Sequence, residues 1–209
     1  MTKVKICGIT EASALDAATK SGAHFAGFVF HAKSARNIAP EKAAHLAESA
    51  SASITTVGLF VDPDDDTLRH ILSIAPLGMV QLHGNETPAR VAAVKILTGL
   101  PVMKAIRIGT RDDMAGIDAY ASIADWLLFD AKVDGAQGGT GSAFDWTILE
   151  NFKTSKPWML AGGLHADNVG EALAQLRPDA VDVSSGVESA PGVKDACKIA
   201  AFVESVRHA

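Results

Sequence analysis

Cysteine, tyrosine and long apolar runs are scarce in this chain: its 209 residues hold two cysteines, one tyrosine and 6% aromatics. Cys7 and Cys197 stand far apart, with neither a Cys-x-x-Cys pair nor histidines at zinc-ligand spacing. That excludes a zinc knuckle and a disulfide framework, and it fits a reducing cytoplasm. No run approaches the roughly 18 unbroken apolar residues of a membrane helix, and Met1 to Lys5 lead straight into a strand-like run without an apolar leader. A soluble, cytoplasmic protein with no membrane partner is expected. Positive charge is also short: 19 Lys and Arg against 24 Asp and Glu leave a net charge of -5, which removes the basic footprint that nucleic-acid binding needs. An anionic small molecule would have to be held by a local group of Arg, Lys and backbone N–H groups acting against the mean field. Polar low-complexity tracts and Ser/Gly/Pro linkers are missing too, while 48% hydrophobic residues supply a core. One domain over residues 1–209 follows as the expectation.

What is present is alternation. Short β-rich runs at 4–9, 25–30, 55–61, 79–83, 102–108, 126–131, 158–161 and 180–184 alternate with stretches at helical spacing. They form about eight units of roughly 26 residues, without sequence repetition. Thr87 with Pro88 marks one helix start, and Asp64, Asp65 and Asp66 place negative charge at another. In the last helix Ala196, Ile199, Ala200, Val203 and Val206 form an apolar face, with Lys194, Lys198 and Glu204 elsewhere and Cys197 beside it as a structural residue. Eight such units close most economically into a parallel (β/α)8 barrel; the alternative is an open doubly wound sheet. In both, the ligand faces the C-terminal ends of the strands, so residues there carry the functional weight.

Cys7 ends the first strand on the same face as Lys5, and reads either as a small buried hydrophobe or as a general base or nucleophile activated by a nearby positive charge or helix N-terminus. Asp130 ends the sixth strand, either as a solvated loop carboxylate or as a general acid facing Cys7 across a ligand. Two glycine-bearing turns, Ala161-Gly162-Gly163-Leu164 and Ser184-Ser185-Gly186-Val187, follow the last two strands, where barrels commonly bind phosphate through backbone N–H groups. Arg36, in the loop after the second strand, offers a planar fork for a carboxylate or is a solvated loop residue. His83 ends the fourth strand, and Asp182 lies in the eighth, next to the first strand of a closed barrel and so within reach of Lys5.

Together these motifs resemble the phosphoribosylanthranilate isomerase family over essentially the whole chain. The resemblance rests on Lys5-Ile6-Cys7-Gly8-Ile9-Thr10, Gly27-Phe28-Val29-Phe30 followed by Ser34-Ala35-Arg36, Val57-Gly58-Leu59-Phe60-Val61 and Gln81-Leu82-His83-Gly84. It continues with Phe129-Asp130-Ala131-Lys132 followed by Gly138-Gly139-Thr140-Gly141, with Leu160-Ala161-Gly162-Gly163-Leu164, and with Asp182 to Glu188 and Pro191 to Asp195. It implies an Amadori rearrangement of a phosphosugar substrate without metal or organic cofactor. Asp130 would be the acid and Cys7 the base; Arg36 would hold a carboxylate, and Gly162, Gly163, Ser185 and Gly186 the phosphate. Asp182 would contact a substrate hydroxyl or stand behind one, His83 would line the substrate, and the loop 135–142 would close over it. A histidine-pathway Amadori isomerase would resemble this chain but with aspartate at Cys7, and a silent phosphate-ligand barrel would need the glycines without the acid and base. Monomer and homodimer remain equally open.

Overall fold

The computed structural model describes residues 1–131 and 145–209. The loop 135–142, expected to be a closing loop, and the Gly138 to Gly141 motif lie outside the described residues. Eight strands pair in parallel with their sequence neighbours: β1 (Lys3–Cys7), β2 (Phe25–Phe30), β3 (Thr55–Phe60), β4 (Met79–Leu82), β5 (Val102–Ile108), β6 (Trp126–Ala131), β7 (Trp158–Leu160) and β8 (Ala180–Val183). β8 returns to β1, with Lys5 opposite Asp182, so the sheet closes into a barrel and the open-sheet alternative falls away.

Alternation along each strand sorts the side chains. Phe25, Val57, Met79, Met103, Leu128, Met159 and Ala180 form one buried cluster on the inner face. Further along, the same face carries Lys5, Gln81 and Asp182, then the small cluster of Cys7, Val29 and Leu59. The outward residues, among them the fully buried Ile6, Phe28, Phe60 and Phe129, pack against the helices. Each such side chain contributes about 1.5–3 kcal/mol through burial, which holds the strand ends, and so the site, in fixed register.

The helices are α1 (Ala12–Ser21), α2 (Pro40–Ser49), α3 (Asp65–Ile74), α4 (Pro88–Thr98), α5 (Ile117–Ala121), α6 (Val169–Gln175) and α7 (Ala196–His208). As the sequence predicts, Thr87 caps α4 ahead of Pro88, and Asp64 caps α3 by accepting from the N–H of Thr67, with Asp65 and Asp66 in the first turn. Between β6 and β7 the described residues hold one 3-10 turn, Trp146–Leu149, rather than a full helix. The buried face of α7 is Ile199, Phe202, Val203 and Val206; Ala196 and Ala200 are exposed, because Phe202 brings far more apolar area to the sheet than either alanine. Cys197 is also exposed, a correction to its structural reading. An unexpected antiparallel hairpin, β9 (Glu188–Ala190) with β10 (Val193–Lys194), follows β8, and it buries the Lys194 ammonium instead of leaving it in solvent. Among the described residues, no helix is long and apolar enough to cross a membrane.

Candidate active site at the C-terminal mouth of the barrel

The strand ends surround a concave, partly open cavity, the setting in which small ligands are commonly held. Cys7, Arg36, His83, Asp130, Gly162, Gly163, Asp182 and Ser185 all line it, so residues distant in sequence meet at one surface. Gly186 does not. A Cβ there would lie 2.0 Å from the carbonyl oxygen of Leu164, so this glycine lets the turn after β8 press against the turn after β7.

Cys7 and Lys5 point inward from β1, and Gly27 on β2 leaves room for both: a Cβ there would stand 3.1 Å from the Cys7 Sγ and 3.2 Å from the Lys5 Nζ. Lys5 is fully buried and donates to Asp182 Oδ1 at 2.9 Å, the pair expected from the closure of β1 on β8. Burial alone would lower the Lys5 pKa, but Asp182 and Cys7 together outweigh it and the lysine is held above its ordinary value. Burial pushes the Cys7 thiol up; Lys5 opposes this, and Asp182 adds to it. Lys5 therefore moderates the thiol without turning it into a resting thiolate.

Asp130 is buried at the end of β6, and its Oδ2 lies 3.1 Å from His83 Nε2. The other ring nitrogen of His83 lies 3.1 Å from Gln81 Nε2. In this amide orientation Gln81 donates to Nδ1, so Nε2 carries the hydrogen and donates to Asp130. The Oε1 of fully buried Gln81 has no partner among the described residues. His83 thus stands beside Asp130 as well as beside the cavity.

The N–H groups of Gly162, Gly163, Ser185 and Gly186 have no protein acceptor among the described residues. Gly162 and Gly163 both take positive φ, 87° and 67°, the left-handed region that glycine adopts without a steric penalty. Asn168 braces this turn, accepting from the N–H of His165 and donating to the carbonyl of Gly163.

Arg36 is not a free fork. Its Nε and Nη2 donate to the two oxygens of Glu188 at 2.7 and 2.8 Å. Lys194 Nζ reaches the same carboxylate at 2.7 Å. Burial would raise the Glu188 carboxyl, yet Arg36 and Lys194 hold it below the ordinary carboxylate range. Glu188, Lys194, Gln81 and Gly27 escaped the sequence reading as site residues. Glu188 and Lys194 were visible only inside the family motif, while a polar residue in a four-residue strand was the signal for Gln81 and a glycine within a strand the signal for Gly27.

Residues 4–205 match the family model described as N-(5'phosphoribosyl)anthranilate (PRA) isomerase. The chain is 51% identical to N-(5'-phosphoribosyl)anthranilate isomerase of Paramagnetospirillum magneticum, covering 98% of this chain and 97% of that one. It superposes on the crystal structure of phosphoribosyl anthranilate isomerase from Thermotoga maritima with a TM-score of 0.89 at 35% identity, over the whole of both chains. It is also similar, with a TM-score of 0.85 at 34% identity over the whole of both chains, to a phosphoribosyl anthranilate isomerase in complex with reduced 1-(o-carboxyphenylamino)-1-deoxyribulose 5-phosphate. A barrel mouth bearing a cysteine, an aspartate and unpaired backbone donors, together with full-length matches of this strength, establishes that the chain belongs to the N-(5'-phosphoribosyl)anthranilate isomerase family.

Proposed function

We propose that this barrel catalyses the Amadori rearrangement of N-(5'-phosphoribosyl)anthranilate to 1-(2-carboxyphenylamino)-1-deoxyribulose 5-phosphate, an aldose-ketose isomerisation in tryptophan biosynthesis. Asp130 is the general acid. It protonates the ribose ring oxygen while the C1–O bond breaks and the anilino nitrogen pair forms a C1=N iminium. That cation makes the C2 hydrogen acidic; Cys7, as thiolate, removes it, and the C–H electron pair becomes the C1=C2 bond of an enolamine. Loss of the C2 hydroxyl proton and gain of one at C1 give the ketone, and the proton on Cys7 returns through solvent to Asp130. Atoms balance, and the acid and base are both side chains, so the reading calls on no metal or organic cofactor.

Both ends of the substrate need anchors. The N–H groups of Gly162, Gly163 and Ser185 hold the phosphate, with Gly186 letting the two turns meet, and Arg36 holds the anthranilate carboxylate, so that remote binding energy orients the reacting carbon between Cys7 and Asp130. Asp182 sits where it can bond a ribose hydroxyl while fixing Lys5. His83 serves Asp130. When the acid carries its proton on Oδ1, Oδ2 still accepts from His83 Nε2–H, so the proton is free for the ring oxygen.

What carries this reading is that Cys7 and Asp130 line one cavity with the glycine turns and Arg36. Residues 1–209 act as one domain in it, and two free cysteines, one of them exposed, accord with a reducing cytoplasm. The test follows anthranilate fluorescence as freshly generated N-(5'-phosphoribosyl)anthranilate is mixed with the protein under metal chelation. An enzyme-dependent loss of signal is expected, and a signal that decays no faster than in buffer would reject the activity.

A further inference from the structure

We propose that Glu188 is a positioning residue that turns the Arg36 guanidinium so that one edge alone faces the cavity, and thereby makes the site select an aryl carboxylate. The proposal rests on the reading of Arg36 as the carboxylate anchor. Glu188 and Lys194 do not line the cavity, whereas Arg36 does, so the route from Glu188 to a carboxylate held by Arg36 runs through the guanidinium. The contact is bidentate: Nε to Oε1 at 2.7 Å and Nη2 to Oε2 at 2.8 Å. A fork held this way cannot swivel without breaking two charge-assisted hydrogen bonds. Its remaining nitrogen, Nη1, makes no hydrogen bond among the described residues.

The surroundings lock the arrangement. A Cβ on Gly8 would stand 2.6 Å from Arg36 Cδ, so the arginine stem crosses directly over the residue that follows Cys7. A Cβ on Gly192 would stand 2.6 Å from the carbonyl oxygen of Ala35, so the turn of the β9–β10 hairpin leans on the backbone next to Arg36. Lys194 joins Glu188 Oε1 at 2.7 Å to the Ser184 carbonyl at 3.0 Å, and Ser184 Oγ donates to the Cys7 carbonyl at 3.1 Å. The hairpin therefore aims Arg36 and braces the backbone of Cys7 together. Arg36 and Lys194 bring two positive charges against the one carboxylate of Glu188. One positive charge stays unmatched in a protein whose net charge is -5, and it is presented through the free edge of Arg36. A planar carboxylate matches that edge.

The test compares two inhibitors, the reduced product analogue and the same molecule with hydrogen in place of the aryl carboxylate, on wild type, Glu188→Gln, Glu188→Asp and Arg36→Lys. Wild type should prefer the carboxylate-bearing analogue. Glu188→Gln should weaken that analogue about tenfold, the size of one lost charge-assisted contact, while leaving the other within about twofold. KM should rise with kcat changed much less, because the residue orients a bound group and touches no reacting atom. Glu188→Asp keeps the charge but reaches one nitrogen only, so it should show a smaller loss of the same kind. Equal weakening of both analogues, or no weakening of either, would overturn the proposal, as would loss of folding in both Glu188 variants, which would make the pair a requirement of the fold. Arg36→Lys separates the two readings. If it erases the preference and Glu188→Gln does not, only the positioning role fails; if Arg36→Lys leaves the preference intact, the anchor itself is misassigned.

Discussion

A thiol enclosed in a barrel gives up its proton less readily than one in water, and Cys7 is in that position, pushed up by burial and by Asp182 and pulled down by Lys5. The thiolate, once formed, is poorly solvated and correspondingly basic, which suits removal of a carbon-bound proton beside an iminium. Because the base must be deprotonated to act and its pKa is raised, kcat/KM should climb as pH rises above neutrality. Asp182→Asn deletes a negative charge that holds the proton on Cys7 and leaves Lys5 to act on the thiol unopposed. That limb should therefore move to lower pH in the variant's pH–rate profile; a limb that stays in place or moves up would contradict the coupling. Cys7, Asp130 and Asp182 could be read from the sequence because each ends or lies in a strand whose inward face is fixed by alternation. Glu188 could not. Its partner Arg36 is 152 residues away, and a lone glutamate in a loop has solvent as its default surroundings.

The loops after β3 and β4 are tied together by a second buried pair. Lys104 Nζ meets Glu86 Oε2 at 2.6 Å and the Gly84 carbonyl at 2.9 Å, and Glu86 Oε1 accepts from the N–H groups of Asp62 and Gly84, each at 2.9 Å. Arg107 donates to the His83 carbonyl at 2.9 Å, which fixes the backbone carrying His83. Glu86→Gln should leave the Lys104 ammonium buried without its counter-charge and destabilise the fold by about 3 kcal/mol, and Lys104→Met added to it should restore part of that loss. Urea unfolding midpoints decide it: a Glu86→Gln variant as stable as wild type would show that the pair does not hold these loops. At this scale the strands were legible as short apolar runs, since parallel strands are buried on both faces, even in β7 with three residues. The β9–β10 hairpin was not, since three- and two-residue strands around Pro191 and Gly192 offer no period to read. On α7 the helix was plain but its buried face was misaligned, because alanine is equally at home inside and outside.

Over the whole molecule, the field opposes an anionic substrate while the mouth of the barrel attracts it. Unpaired N–H groups and one Arg36 edge act at contact distance, where salt screens them least, whereas the net charge of -5 acts at long range. Raising NaCl at low ionic strength should therefore leave kcat/KM flat or slightly higher. A steep fall would mean that long-range attraction contributes to capture. About eight alternating strand and helix runs made the closed architecture legible in advance, and the identity of the reaction came from the resemblance of motifs along the entire chain to a known family. The connectivity of charges inside the mouth emerged only when the barrel closed.

The central claim is that Cys7 and Asp130 are the base and acid of an isomerase. Its most direct test pairs turnover, followed by anthranilate fluorescence, with binding of the reduced product analogue, for wild type, Cys7→Ala and Asp130→Ala. Each variant should lose about 10²-fold or more in turnover while binding the analogue nearly as tightly as wild type. Near-normal turnover in either variant would remove that residue from its role, and saturable binding without turnover by the wild type would make this a binding barrel instead.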